Sequence, residues 1–316
     1  MTRRAWIAVL AACAACGGKR PSGESGRIAA AGLLAGVAAA AAEQAPWRCA
    51  RGDGPPLELP ATAIAVIADA RAPSDATLAA LAALHRAFKD AGVGVVVTAG
   101  GMGTAQPELE RTLGVLVDPA WTLVALPGAA ESVSGLRGAI AALHGKGAAI
   151  VDGTRTSVID THALRVVMLP GDTSAPRLAA GSDGCVRDRA DIDAALARLG
   201  TTAVRSERLP QVVISTTAPR GRGPSSDLAP GGIHAGEPDL AAALAQHGAE
   251  LVVHPQLGAP PANGAVTVGN QAVIAAGIAD ASPRFDDGGR RLAPTALVVT
   301  VDRSGIRWQT IVAAPP

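Results

Sequence analysis

The sequence has few aromatic and few charged residues. It contains no tyrosine, aromatic residues make up 2% of the chain, and charged residues make up 17%, with a net charge of +1 at pH 7. Nucleic-acid binders need a basic surface that neutralises phosphates and aromatic rings on which bases stack. We therefore expect no nucleic-acid binding. With 316 residues and 48% hydrophobic content, the chain is long enough for a globular protein with an ample core.

Several common catalytic motifs are also missing. The sequence has no G-x-S-x-G elbow, and the glycine-rich stretch Gly100–Gly103 lacks the Lys and Ser/Thr of a P-loop. Its backbone N–H groups could cradle an anion, or the stretch could be a simple turn. Outside the N-terminal signal region, neither Cys49 nor Cys185 has a C-x-x-C partner. These absences exclude the usual serine hydrolase, nucleotide-binding and thioredoxin-type sites.

The N-terminus has the pattern of an export signal. Arg3 and Arg4 form a positive region, and Ala5–Ala12 form an apolar region that is too short to span a bilayer. The stretch L-A-A-C that ends at Cys13 resembles a bacterial lipobox, in which the cysteine is diacylated and becomes the first mature residue. An ordinary secretory signal, or lipidation at Cys16 instead, are the alternatives.

The lipobox implies an anchored protein with a tether. Residues 1–12 would be the signal peptide, and residues 13–60 would hold a Gly/Ser-rich tether, an Ala-rich helix over Arg27–Gln44 and a Pro/Gly-rich linker. Acyl chains attach a protein to a membrane without spanning it. Because no Asp follows Cys13, known sorting rules favour the outer membrane of a bacterial cell envelope, facing the periplasm or the exterior.

Two cysteines remain outside the signal, Cys49 and Cys185. Both lie in polar, loop-like surroundings, and an exported protein reaches an oxidising compartment. We expect a disulfide between them, and two unpaired buried thiols are the alternative.

From residue 61 the sequence alternates apolar runs with helical patterns. Four apolar runs end in polar or glycine-rich turns, the first of them Ala63–Ala68, which ends at Asp69. Such runs predict buried parallel strands, and ligands bind at the carboxyl ends of strands in sheets of this type. The other three are Gly94–Thr98, Trp121–Leu126 and Gln211–Ile214.

Helices are predicted between these strands, followed by a β-rich tail. Helical periodicity predicts helices over 74–91, 107–116, 132–144, 188–199 and 238–247. Short β-rich runs are predicted over 148–151, 157–160, 164–169 and 251–254, and residues 220–236 are predicted to be a long polar loop. The tail predicts antiparallel strands over 266–269, 272–276, 295–301 and 306–312. A parallel α/β half followed by a β-rich half predicts one mixed α/β fold with two packed sheets.

The order of strand-end loops resembles the calcineurin-like metallophosphoesterase family. Members carry D-x-H, G-D, G-N-H-[DE], a lone His and G-H-x-H, each after a strand, and the resemblance covers residues 61–316. It implies a four-layer α/β/β/α sandwich with two mixed sheets. In this sequence Asp69 matches the first metal ligand, whereas Arg71 replaces the first His. We expect these two side chains to form an ion pair in the vacated pocket.

Most other ligand positions of the family carry residues that differ from the motif. Gly101 stands where the bridging Asp belongs, Ala129 and Ala130 replace the Asn and His, Glu131 keeps the acidic position, Thr216 lies near the lone His, and Gln256 and Gly258 replace the last two His. Two divalent ions repel each other strongly, so a two-metal site needs carboxylates and imidazoles that offset their charge. The resemblance therefore implies a pseudoenzyme without bound cofactor, in which Asp69 is a vestigial ligand.

Our expectation is a membrane-anchored lipoprotein whose metallophosphoesterase-like domain has a non-enzymatic binding or scaffold role, with a partner that the sequence does not identify. One alternative is an active, divergent metal-dependent phosphoesterase. Its rearranged site would use Asp69, Glu131, His234 and His254, since the other histidines lie on helices or in a hairpin. The other alternative is an unrelated α/β protein of the envelope, whose resemblance to the family is accidental.

Overall fold

A computed structural model describes the chain from residue 47 onward, apart from several gaps. The described residues are 47–49, 54–71, 73–174, 178, 183–200, 209–221, 227–229, 233–256, 265–268, 271–285, 289 and 291–313. The predicted signal peptide, Cys13, the tether and the helix over 27–44 lie outside them. Within the described part of the chain, every helix is too short or too polar to cross a bilayer.

The first of two large sheets has six strands in the order β17-β16-β3-β4-β5-β6. These strands are β3 (Ala63–Ile67), β4 (Val95–Ala99), β5 (Thr122–Leu126), β6 (Ile150–Asp152), β16 (Thr295–Asp302) and β17 (Gly305–Val312). Neighbours from β3 to β6 pair in parallel, while β16 pairs antiparallel with both β3 and β17. Parallel pairing places the carboxyl ends of β3, β4 and β5 at one edge of the sheet.

The second sheet has seven strands in the order β14-β15-β13-β10-β8-β7-β2. They are β2 (Leu57–Leu59), β7 (Val158–Thr161), β8 (Arg165–Leu169), β10 (Gln211–Ser215), β13 (Leu251–His254), β14 (Ala265–Val268) and β15 (Gln271–Ala275). β8, β10, β13 and β15 run parallel, whereas β7 and β14 pair antiparallel with their neighbours β8 and β15. Strand β2 lies within the segment that the sequence assigns to the linker.

Five helices of the described chain cover the outer faces of the sheets. They are α1 (Asp75–Asp90), α2 (Gln106–Leu116), α3 (Val133–His144), α4 (Arg189–Leu196) and α5 (Pro238–His247). Leu81, Leu84 and Phe88 of α1 belong to a core with the outer face of the first sheet. A second core lies between the sheets, and a third lies under α4 and α5. The expected α/β/β/α sandwich with two mixed sheets is therefore confirmed.

The helices begin where the sequence places capping residues. Ser74 accepts a hydrogen bond from the N–H of Thr77 at 3.1 Å, and Ser132 accepts one from Gly135 at 3.0 Å. Such caps satisfy backbone donors that the first turn of a helix leaves free. Since each helix connects two parallel strands, the caps also fix where the strand-end loops stop.

One prediction about the second half of the chain was wrong. The segment 220–236, predicted to be a loop, contains the antiparallel strands β11 (Leu228–Ala229) and β12 (Ile233–His234). The tail does form the predicted antiparallel pairs, β14 with β15 and β16 with β17. The sequence did not indicate that these pairs join different sheets, where β15 also pairs in parallel with β13 and β16 also pairs with β3. Long-range pairing decided this, and hydrophobic periodicity does not report it.

A disulfide joins Cys49 and Cys185, whose Cα atoms lie 5.4 Å apart. Cys49 follows the short strand β1 (Trp47–Arg48), and Cys185 is the first residue of β9 (Cys185–Val186), which pairs with β1 in parallel. Cys185 is fully buried and Cys49 nearly so. The bridge links the start of the described chain to the loop region after β8.

Candidate functional site

The strand-end loops of both sheets meet at one place. The loops after β4 and β5 approach so closely that a Cβ atom on Gly100 would lie 2.9 Å from the Cα of Gly128. The same Cβ would lie 3.6 Å from the Cβ of Thr216, which follows β10 in the second sheet. A hydrogen bond of 2.8 Å from the N–H of Gly171 to the carbonyl of Pro127 also connects the sheets. The sequence predicted this convergence of loops.

The loop after β3 holds two residues in a left-handed backbone conformation. Asp69 has a φ of 55° and Arg71 a φ of 53°, values that non-glycine residues rarely adopt. Backbone hydrogen bonds hold the loop: the N–H of Asp69 donates to Gly100 at 3.0 Å, and that of Arg71 to Gly101 at 2.6 Å. The carbonyl of Asp69 accepts from the N–H of Asp280 at 2.9 Å. Such strain is typical of functional loops that the surrounding structure fixes.

Asp69 is half-buried among other charges. Burial raises the pKa of its carboxyl group to about 6, although the charges of Arg71 and Arg284 act in the opposite direction. Among the ion pairs of the described residues, none joins Asp69 to Arg71 within 4.0 Å. The expected ion pair is therefore not formed, because Arg71 is exposed and acts on Asp69 only through its charge.

Gly101 leaves no room for a side chain. Its φ is 72°, and a Cβ atom would meet the Asp69 carboxylate and lie 2.8 Å from the Cα of Asp69. Real Cβ atoms do not approach backbone atoms so closely. At the position where the family carries its bridging Asp, the backbone of this chain is therefore packed directly against Asp69.

Glu131 is buried and acts as a link between two loops. One carboxylate oxygen accepts the N–H of Met102 at 2.7 Å, and the other accepts the N–H of Gly128 at 3.0 Å. Burial nevertheless raises the pKa of Glu131 to about 7, with the nearby charge of Asp69 adding to the rise. Both oxygens hold backbone groups in place, so Glu131 has a structural role in this arrangement.

The remaining ligand positions of the family offer little to a cation. Ala129 and Ala130 have no donor atom, and the Thr216 hydroxyl donates to the carbonyl of Gly171 at 2.8 Å. Gln256 is buried, and Gly258 lies outside the described residues. Two divalent ions need several anionic or imidazole ligands. These positions offer Asp69 beside an arginine and neutral glycines and alanines, so they do not fit two such ions.

The alternative site of Asp69, Glu131, His234 and His254 separates into two parts. The charge of Asp69 acts on Glu131, whereas His234 and His254 both interact with Asp227, which sequence reasoning did not single out. Within the described part of the chain, no three His, Cys, Asp or Glu side chains come together in a way that could hold a metal ion. His85, His144 and His247 lie on helices, as predicted.

A buried ion pair beside the loops also escaped sequence reasoning. Arg187 contacts Glu237 at 2.9 Å, and both side chains are almost fully buried. Arg187 also donates to the carbonyl of Pro170 at 2.9 Å and to the hydroxyl of Ser215 at 3.2 Å, which ties the loops after β8 and β10 together. Burial alone would raise the pKa of Glu237, but the Arg187 charge and hydrogen bonds hold it below its ordinary value.

No family model and no curated protein match the sequence. Solved structures do match the fold. TT1561 of Thermus thermophilus is 12% identical with a TM-score of 0.51, over 80% of this chain and 100% of that one. GAP50 of Plasmodium is 11% identical with a TM-score of 0.52, over 79% and 84% of the two chains. A protein described as a putative 5'-nucleotidase from Staphylococcus aureus is 12% identical with a TM-score of 0.50, over 80% and 54%.

These likenesses concern the fold, since the identities are low. The structural neighbours include calcineurin-like metallophosphoesterases, and this chain has their mixed α/β fold with two packed sheets. The fold that the loop order implied is thereby supported independently of the ligand residues. A shared fold does not carry the activity with it, because function depends on the residues of the site.

Proposed function

We propose that this protein is a membrane-anchored lipoprotein whose metallophosphoesterase-like domain is catalytically degenerate and has a binding or scaffold role. The proposal has two parts: a domain that no longer binds the two metal ions of its fold family, and an N-terminal lipid anchor on Cys13. Its partner would be a protein or a small ligand that uses the surface of the domain.

The observation that carries the first part is the contact between Gly101 and Asp69. A bridging carboxylate has no room there, because a Cβ on Gly101 would lie 2.8 Å from the Cα of Asp69. Without a bridging ligand two cations held about 3.5–4 Å apart are not neutralised. Glu131 cannot take over this role without giving up the N–H groups of Met102 and Gly128.

An anchoring role has a parallel among proteins of this fold. GAP50 is named as the anchor in the inner membrane complex of Plasmodium. That parallel supports the class of function and no particular partner, since the likeness covers the fold alone.

Metal content and hydrolysis test the degenerate site. The full chain, purified in detergent, is dialysed against manganese and then assayed for bound metal by mass spectrometry and for hydrolysis of p-nitrophenyl phosphate and its diester. We expect that the wild-type chain binds no manganese, and that its hydrolysis rate is the same as that of Asp69→Asn. Bound manganese together with hydrolysis, both lost in Asp69→Asn, would overturn the proposal.

Labelling with a radioactive fatty acid tests the anchor. We expect incorporation into the wild-type chain and into Cys16→Ser, and loss of both label and membrane association in Cys13→Ser. The Cys16 variant is a matched control, because it removes the other cysteine in the same region. Labelling that persists in Cys13→Ser would show that the anchor is elsewhere.

A further inference from the structure

A small cavity lies between the loop that follows β8, helix α4 and the disulfide. Its volume is about 20 Å³, and its wall includes Cys49, Pro170, Arg187 and Asp191. On this measure a cavity needs about 10–15 Å³ to hold one water molecule. The space therefore fits a single molecule of the size of water and excludes larger ligands.

Arg187 brings a buried hydrogen-bond donor to this cavity. Both terminal nitrogens of its guanidinium group are engaged, since Nη1 donates to the carbonyl of Pro170 at 2.9 Å and Nη2 to Glu237 at 2.9 Å. The Nε atom is also buried, and no acceptor among the described residues lies within hydrogen-bond distance of it. The side chain is only 3% exposed, so bulk solvent does not reach Nε. An N–H group left unpaired at this depth would be costly.

Ser157 and Asp191 supply acceptors in the wall of the same cavity, and both are buried. The Ser157 hydroxyl accepts a hydrogen bond from the Nη1 of Arg198 at 2.6 Å and has a second lone pair. One carboxylate oxygen of Asp191 accepts the backbone N–H of Asp188 at 3.0 Å, and a carboxylate offers about four acceptor positions. The wall thus contains one donor and two acceptor groups, and a buried water typically makes about three hydrogen bonds.

The charges in the wall determine which kind of molecule fits. The guanidinium group of Arg187 repels a cation, and the carboxylate of Asp191 repels an anion. Met168 and Ala195 make another part of the wall apolar. A neutral molecule that both donates and accepts hydrogen bonds is compatible with all of these groups.

We propose that one water molecule is bound in this cavity as a permanent part of the fold. It accepts a hydrogen bond from the Nε of Arg187 and donates its two hydrogens to Ser157 and Asp191. The water completes the hydrogen bonding of the side chain that ties together the loops after β8 and β10 and the start of α5. This inference goes beyond the proposed function and depends neither on Asp69 nor on the lipid anchor.

Crystals of the full chain, purified in detergent and grown with bromide in place of chloride, test the site directly. We expect one ordered water within hydrogen-bond distance of the Nε of Arg187, without an anomalous signal from bromide. Anomalous density at this position would identify an anion site and overturn the proposal. A cavity without electron density, in a map that shows other buried waters, would overturn it as well.

Nuclear magnetic resonance tests the same contact in solution. In the full chain labelled with ¹⁵N-arginine, the Nε–H of Arg187 should exchange slowly with solvent and show a nuclear Overhauser cross-peak to a long-lived water. Since this measurement uses the wild-type protein, it does not require a variant to fold. A slowly exchanging Nε–H without a cross-peak to water would contradict the site.

A matched pair of alanine substitutions tests whether the water occupies this particular cavity. Ala195 on α4 lines the cavity, whereas Ala243 on α5 is buried in the same core but is not part of the wall. Ala195→Val should fill the space and abolish the cross-peak to water, and Ala243→Val should keep it. A cross-peak that persists in folded Ala195→Val would mean that the water lies elsewhere.

Discussion

Asp69, Gly101 and Glu131 show how single residues determine the packing of the strand-end loops. Gly101, with a φ of 72°, stands where the family carries its bridging carboxylate. The carboxyl group of Asp69 occupies the space that a side chain at position 101 would need. Glu131, the other acidic residue retained at the loops, is engaged with two backbone N–H groups. At Gly101, neighbouring atoms therefore occupy the space that a side chain would need.

Substitution of Gly101 tests this packing. Gly101→Ala should destabilise the protein by about 3 kcal/mol, the sum of the left-handed backbone cost and the steric overlap with Asp69. Gly101→Asp should be at least as destabilising and should not restore metal binding. Urea unfolding followed by circular dichroism measures both.

Gly92→Ala is the matched control for Gly101→Ala. Gly92 also has a left-handed backbone, with a φ of 64°, but a Cβ atom at this position would meet nothing within 4 Å. Its substitution should therefore cost only about 1 kcal/mol, the backbone contribution alone. Equal losses at Gly92 and Gly101 would mean that the loops move apart easily and that the site is not closed.

Glu131 should make stability fall as the pH rises. Its pKa is raised from 4.5 to about 7 by burial, so between these values the folded protein holds a proton that the unfolded chain has released. Stability then decreases with pH by up to about 1.4 kcal/mol per unit. In Glu131→Gln this slope should disappear between pH 6.5 and 7.5, although the amide also loses one acceptor and is less stable overall. Thermal unfolding across pH measures the slope.

Two other groups set the pH window of that experiment. Asp69, with its pKa raised to about 6, contributes in the same direction as Glu131 but mainly below pH 6. His254, with its pKa lowered to about 4 from 6.5, contributes in the opposite direction, because stability is lost as the pH falls through that range. At pH 7 and above, Glu131 makes the largest contribution of these three groups. A slope there that persists in Glu131→Gln but vanishes in Asp69→Asn would contradict the assignment.

At the scale of helices and strands, local sequence signals predicted most of the fold. The run that ends at Asp69 became β3, and Ser74 and Ser132 became the caps of α1 and α3. Buried parallel strands are short apolar runs, and a capping serine acts within its own first turn, so both are encoded locally. The convergence of the loops followed from the parallel order.

Pairing between distant strands was not predictable in the same way. Strand β16 pairs with β3, more than two hundred residues earlier, and nothing in its alternating pattern indicates which sheet it joins. The ion pair of Arg187 and Glu237 was missed for the same reason, since each residue sits in an ordinary polar stretch. Of the candidate site, sequence reasoning predicted that Asp69 follows the first buried strand, but neither the Gly101 packing nor the contact of Asp227 with His234.

At the scale of the whole molecule, the Cys49–Cys185 disulfide connects residues that are 136 positions apart. Strand β1 has only two residues, so the bridge is the strongest attachment of the chain near Cys49 to the rest of the domain. If Cys13 carries a lipid, the part of the chain that follows the lipid joins the domain next to Cys49.

Removing the bridge should cost much of the stability of the domain. A loop of this length predicts a loss of up to roughly 5 kcal/mol in Cys49→Ser/Cys185→Ser, because the unfolded chain gains freedom. Urea unfolding of wild type and double variant, each with and without reductant, measures the difference. Reductant should lower the stability of the wild type and leave the double variant unchanged. An equal midpoint for both proteins without reductant would mean that the bridge does not form, and that β1 is held by its two-residue pairing with β9 alone.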